Sequence, residues 1–356
     1  MTHEALLNGA NRREFLTGLA AAGAATMLSG SAALAQAPMH RGIIDTHHHF
    51  YAPEYKQASI DWAEPKHIPT GPLIKSWSPE QSLEEMDKGG IETAVVSLPS
   101  TPGLWFDKGP EMAVKMSRIV NDYAAGMVQK YPKRFGFWAA LPMLDIDASL
   151  KEITRALDEL KADGIGLQTN YGDKWPGDPM YAPVFEELNR RHAVVYFHPL
   201  TPACCGRIQD GAPNPAVLEV PFDTTRAIVS LLMSGSFVKY RNIKWLWSHG
   251  GGDIPMLSGR INAFVRHDKN LASFAPNGVY AELQRMHYDT ANAVWKPTWG
   301  AVRSLIPVSQ IVFGTDYPYF FVDQVGELAK RGLSAKDLQA VYSGNAKKLL
   351  PRLAKL

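Results

Sequence analysis

The chain is poor in cysteine: two in 356 residues, Cys204 and Cys205. They are adjacent, and neighbouring α-carbons lie too close together for a relaxed bridge, so no disulfide framework holds this fold. Two small loop residues without chemistry is the commoner reading of such a pair; a place in the wall of a site is the other. No run of lysine or arginine occurs and the formal net charge is only +2. That balance argues against a nucleic-acid partner. Past the N-terminal segment no apolar stretch is long enough to span a membrane. Internal repeats and low-complexity linkers are also missing. What remains is a chain 46% hydrophobic and 20% charged, the composition of a globular protein with a large core. A length of 356 residues is long for one ordinary domain but normal for a single α/β barrel.

The first residues read as a targeting segment. Asn11-Arg12-Arg13-Glu14-Phe15-Leu16 resembles the twin-arginine export motif, and an Ala/Gly/Leu-rich stretch follows it. Ala33-Leu34-Ala35 is an A-x-A site, so cleavage is expected after Ala35. Residues 1–35 are therefore assigned to a signal peptide, residues 38–356 to the mature domain, and the mature protein to the periplasm, exported already folded. An amphipathic N-terminal helix is disfavoured because the segment has no polar face.

Beyond the leader, short β-branched or aromatic runs alternate with helical patterns. Strands are expected at 43–47, 94–98, 135–141, 165–168, 194–198, 243–248, 287–289 and 311–314. Ser78-Pro79-Glu80-Gln81 reads as a helix start, with Gly89 as its end. Met112, Met116, Ile119, Tyr123 and Met127 recur at helical spacing. Asp147 is expected to cap a helix carrying Leu150, Ile153, Leu157 and Leu160, and Asp223 one running through Ile228 and Leu232. Eight strand–helix units predict an α/β fold, a (β/α)₈ TIM-type barrel. Residues 52–77, rich in proline and tryptophan, and 201–221 are expected as insertions on its catalytic face, lids or substrate walls.

The most informative stretch is Asp45-Thr46-His47-His48-His49. Side chains alternate along a strand, so His47 and His49 face one way and His48 the other. Two same-facing imidazoles at a strand end make half of a metal site. His198-Pro199, His249-Gly250-Gly251-Gly252 and Gly314-Thr315-Asp316 also follow short apolar runs. In a barrel of this type, catalytic groups stand at the C-terminal ends of the strands, where all of these fall.

Together these motifs resemble the amidohydrolase superfamily, closest to its aminocarboxymuconate-semialdehyde and γ-resorcylate decarboxylase branch. Ser343-Gly344-Asn345-Ala346 near the C-terminus is also similar to that superfamily's ending. The resemblance implies metal ligands His47, His49, His198 and Asp316, and catalytic roles for His249 and Asp316. It also implies that Arg260 binds a substrate carboxylate across a homodimer interface. A second family arginine has no counterpart; Lys75 is nearest. Three imidazoles and a carboxylate suit one divalent metal, Zn²⁺ first and Mn²⁺ second. Two-metal relatives need a lysine at the end of the fourth strand, and here that end reads Gly166-Leu167-Gln168-Thr169. Asp45 and Asp289 are candidates to orient a ligating histidine, with a turn cap an equal alternative for Asp45. Trp62, Trp77 and Trp105 are candidates for an aromatic wall, Trp105 as a substrate contact, although packing is the commoner role of tryptophan. Arg226 reads as a surface or interface charge.

The expected activity is removal of CO₂ from a small, ortho-hydroxy aromatic carboxylic acid, with the carboxylate and hydroxyl on the metal and Asp316, sharing a proton with His249, protonating the ring carbon. A metal-dependent hydrolase of a lactone or amide is the rival on the same scaffold. A metal-binding or sensing protein without turnover is a third reading. Both His249 and Asp316 being present, beyond what metal binding needs, argues against it.

Overall fold

The computed structural model describes residues 42–355, except 69, 101 and 206–214. The predicted leader, with Arg12, Arg13 and the Ala35 cleavage site, lies outside the described residues, as does part of the second insertion.

Eight parallel strands follow one another in chain order around one sheet. They are β1 (Ile43–His49), β2 (Ile91–Ser97), β3 (Phe135–Ala140), β4 (Gly164–Gln168), β5 (Val194–His198), β6 (Lys244–Trp247), β7 (His287–Asp289) and β8 (Ile311–Val312). The chain after β8 closes the ring on β1. Thr46 N–H donates to Phe313 O at 2.9 Å, Asp316 N–H to His47 O at 2.8 Å, and His49 N–H to Tyr317 O at 2.7 Å. The fold is the predicted (β/α)₈ barrel. Its strands are buried on both sides, as parallel sheets require.

Two apolar layers result. Ile44, Val95, Trp138, Tyr196, Leu246 and Val312 fill the barrel interior, and Leu349, Leu350 and Leu353 of the C-terminal segment join that cluster. Trp138 needs space: a Cβ at Gly164 would lie 2.8 Å from its ring. The second layer packs between strands and helices, including α1 (Pro53–Ala63), α2 (Pro79–Gly89), α3 (Pro110–Lys130), α4 (Ile146–Thr154), α5 (Ala182–Arg190), α6 (Glu219–Met233) and α7 (Ile254–His267). Met116 and Met127 are buried on α3, and Met112, Ile119 and Tyr123 pack against the same core, so that helical stripe is as expected.

α2 ends at Gly89 as expected, and the following Gly90 (φ 67°) caps it in a left-handed conformation. Two of the expected helix caps are corrected. The cap of α4 is Asp145, whose side chain accepts Ala148 N–H at 2.9 Å; Asp147 sits in the first turn. Asp223 lies inside α6, fully buried, where it accepts from Thr169 Oγ1, Asn170 Nδ2 and Trp175 Nε1. A carboxylate that serves three donors from the β4 loop has been drawn into tertiary contact and away from the helix end. Residues 52–77 are mostly helical, with α1 and a short helix at Pro72–Ser76, since prolines at first-turn positions start helices instead of breaking them.

Candidate metal centre and active site

His47 and His49 point into the barrel mouth from the end of β1, with ring centroids 5.1 Å apart. His48 turns away between them: Nδ1 lies 3.1 Å from Asp45, Nε2 lies 3.1 Å from Ser82 Oγ, and the ring stacks on Tyr317. His198 at the end of β5 stands 4.4 Å from the His49 ring. Asp316 follows β8. Ligand atoms of His47, His49, His198 and Asp316 all lie within 4.8 Å of one another, and all four residues are buried. The four predicted ligands are thus brought together.

The hydrogen bonding around them is incomplete in a telling way. Both ring nitrogens of His198 are buried without a hydrogen-bond partner among the described residues, and His47 Nε2 makes no hydrogen bond but stands 3.3 Å from Asp316 Oδ1. Buried polar groups are rarely left so, and convergent unpaired imidazole lone pairs fit a cation. The remaining donors are fixed. His47 Nδ1 is 2.7 Å from Asp289 Oδ2, and His49 Nδ1 is 3.2 Å from Ser97 Oγ. Each leaves Nε2 facing the cluster, the pattern that orients metal-binding histidine.

Asp316 connects the cluster to His249. Its Oδ1 lies 3.0 Å from His49 Nε2, and its Oδ2 lies 3.2 Å from both His249 Nε2 and Asn292 Nδ2. Both His249 (φ 53°) and Asp316 (φ 66°) hold left-handed backbone, which costs energy for residues with a Cβ and concentrates at functional sites. The three glycines after His249 all have positive φ, so the chain turns sharply there. Gly314 is required by close approach, since a Cβ would sit 2.7 Å from that of His47.

The electrostatics follow from burial and partners. Burial pushes the His47 ring toward neutrality, but the Asp289 and Asp316 carboxylates override it and raise the pKa to about 10. Burial, with His49, His47 and His249 adding to it, holds His198 well below its ordinary range. Burial also lowers His49. Burial would raise Asp316, but His47 and the hydrogen-bonded imidazoles hold it well below the carboxylate range. The protein side chains alone therefore keep one proton on His47, which a cation taking Nε2 displaces.

Other predicted residues fall elsewhere. Asp45 accepts from Thr315 N–H and Oγ1 and from His47 N–H, so it fastens β1 to the β8 loop and contacts no ligand ring; Asp289 is the orienting acceptor. Arg260 is exposed on α7, with its guanidinium 5.1 Å above the Phe264 ring. Trp105 does not line the cavity beside His198. Its neighbour Leu104 does, while the Trp105 ring packs on Tyr171 at 5.9 Å. Trp77 is buried on Tyr51, and Trp62 donates to Asp107. Lys75 is exposed. Arg226 contacts Glu219 and Cys205. Cys204 and Cys205 are free thiols. Ser97 and Asn292, which touch His49 and Asp316, carried no motif signal; strand pairing alone reveals Ser97, set level with His49.

The sequence pattern of the amidohydrolase family matches residues 44–352. The chain belongs to this family. Among similar proteins is the decarboxylase yanB of Aspergillus niger, 33% identical over 325 residues, covering 87% of each chain. The 6-methylsalicylic acid decarboxylase acuB of Aspergillus aculeatus is 31% identical over 326 residues, covering 87% of this amidohydrolase and 96% of the relative. A dihydroxybenzoic acid decarboxylase of a Polaromonas species, solved with manganese and 2-nitroresorcinol, shares the fold at a TM-score of 0.75 and 24% identity, over 87% and 97% of the two chains.

Proposed function

We propose that this amidohydrolase is a metal-dependent, non-oxidative decarboxylase of a small hydroxylated aromatic carboxylic acid. The observation that carries the reading is the Asp316 carboxylate, one oxygen in the histidine cluster and the other on His249 Nε2. The activities of yanB and acuB, relatives along nearly their whole length, support it. A divalent cation held by His47, His49, His198 and Asp316 supplies positive charge that steadies the substrate carboxylate and its ortho hydroxyl. His249 and Asp316 hold the proton for the ring carbon. As the bond to the carboxyl carbon breaks, its electron pair returns to the ring, the proton adds there, and CO₂ departs. Asn292 fixes the Asp316 oxygen that faces His249. Zinc suits three imidazoles and one carboxylate. Manganese in the Polaromonas enzyme makes it the second candidate ion.

Product analysis in heavy water tests the activity. Decarboxylation yields CO₂ and one deuterium at the vacated ring carbon. A new carboxylate labelled from H₂¹⁸O, with no CO₂, would move the assignment to the hydrolase reading.

Two further readings belong to this proposal. The Arg12–Arg13 motif supports export by the twin-arginine route and a periplasmic mature protein. Among the described residues no helix is long and apolar enough to cross a membrane. On α7, Met256 is 74% and Phe264 58% exposed beside Arg260, which supports a homodimer through that helix. Sizing of Met256→Asp/Phe264→Asp should show a monomer; an unchanged dimer would remove α7 from the interface.

A further inference from the structure

On the catalytic face a narrow cleft of about 20 Å³ opens beside His198, room for a water or a ring hydroxyl and not for a whole ring. Its walls come largely from β2 to β5. Leu98, Leu104, Leu141 and Leu167 give it an apolar surface, and among the described residues no lysine, arginine or carboxylate lines it. Some of its polar side chains are committed, while Tyr196 Oη and both His198 ring nitrogens have no hydrogen-bond partner among the described residues. Ser97 Oγ is held by His49, and Tyr171 Oη accepts Gln168 N–H at 2.9 Å.

Gln168 is unpaired as well. Its side chain is buried, with 8% of the residue exposed, and neither the carboxamide oxygen nor the nitrogen has a partner among the described residues. Leaving both atoms of an amide dry and unpaired is costly, and native proteins rarely do it without a reason. Its position is set by register. Gln168 pairs with His198 across β4 and β5, so the two side chains leave the sheet on the same face at the same level. The loop after β2 closes over it: Gly103 (φ 71°) has no room for a side chain, since a Cβ would lie 2.9 Å from Gln168 Oε1 and 2.8 Å from the Trp105 ring. Tyr55 Oη donates to Gly103 O at 2.9 Å and holds this loop down from α1.

We propose that Gln168 is a specificity-determining residue that reads a neutral hydroxyl on the ring of the bound aromatic acid. The ring acid itself rests on the decarboxylase reading. A carboxamide offers two donors and an acceptor, and a hydroxyl needs one of each; neither carries charge. Among the leucines around it a second charged group finds no counter-charge.

Binding to the metal-loaded enzyme, read by calorimetry, tests this without turnover and so stands whether or not CO₂ is released. Benzoate, 2-nitrophenol and 2-nitroresorcinol carry no, one and two hydroxyls. Gln168→Leu should weaken 2-nitroresorcinol roughly 10- to 100-fold while benzoate changes less than about 3-fold. An equal loss for 2-nitrophenol assigns the contact to the hydroxyl both nitro compounds share, and an unchanged 2-nitrophenol assigns it to the second ortho hydroxyl of 2-nitroresorcinol. The ligand-free variant should melt no lower than the wild type, because two unpaired polar atoms are gone. Unchanged affinity for both nitro compounds, an equal loss for benzoate, or a lower ligand-free melting temperature would overturn the proposal.

Discussion

Asp289 and His47 form a buried carboxylate–imidazole pair, with Oδ2 2.7 Å from Nδ1, while the second oxygen of Asp289 accepts His249 N–H at 2.8 Å. One side chain from β7 thus sets both the ring that faces the metal and the backbone of the candidate acid–base residue.

Asp289→Asn keeps the shape and removes the charge. Metal affinity should fall about 10- to 100-fold, as for other lost carboxylate partners of a ligating histidine. Metal competition against a chelator measures it, and an unchanged affinity would show that the pair is structural only.

His249 and Asp316 should separate in their effects. Asp316→Asn is expected to abolish turnover and to lower metal content. His249→Asn should cost two or more orders of magnitude in kcat, consistent with loss of a positioned proton carrier at about 10²–10⁴-fold, while retaining nearly a full equivalent of metal. Elemental analysis beside single-turnover rates decides this. Complete metal loss in the His249 variant would make His249 a ligand.

Acid stability should depend on His287. Burial pushes this half-buried ring down to about 4 from an ordinary 6.5. The folded state therefore favours the neutral ring. The stabilisation is fully present above pH 6.5 and is lost as pH falls from there toward 4, because the unfolded chain takes up the proton first. The slope is at most about 1.4 kcal/mol per pH unit. Denaturant midpoints should drop over that window in the wild type and drop less in His287→Gln; parallel curves would exclude His287 as the source.

Export should fail when Arg12 and Arg13 are both replaced by lysine. Fractionation is expected to find that variant in the cytoplasm. Its appearance in the periplasm would mean the leader has been misread.

The strands and the metal cluster were legible in the sequence for one reason. In this fold both depend on short-range signals, apolar runs that end in a chemically unusual residue. His47, His49, His198 and Asp316 each close such a run, and the period of two along β1 separated His48 from its neighbours. Asp223 was misplaced because an aspartate near a helix start reads as a cap, and only the folded chain brings Thr169, Asn170 and Trp175 to it. Trp105 had no such signal beyond being a large aromatic near the site, and its neighbour Leu104 lines the cleft beside His198. The unpaired amide of Gln168 had no sequence signature, since lack of a partner is a property of three-dimensional surroundings.

Ring closure gives the centre a further consequence. His49 and Asp316, whose side chains meet at 3.0 Å, are 267 positions apart. The ligands of β1 leave the ribosome some 267 residues ahead of the carboxylate. A nascent or truncated chain that stops before β8 presents two or three histidines but no completed cage, and it also lacks the Thr315 contacts by which Asp45 latches the seam. A complete four-ligand cage therefore requires that the chain be made through Asp316 and closed on β1.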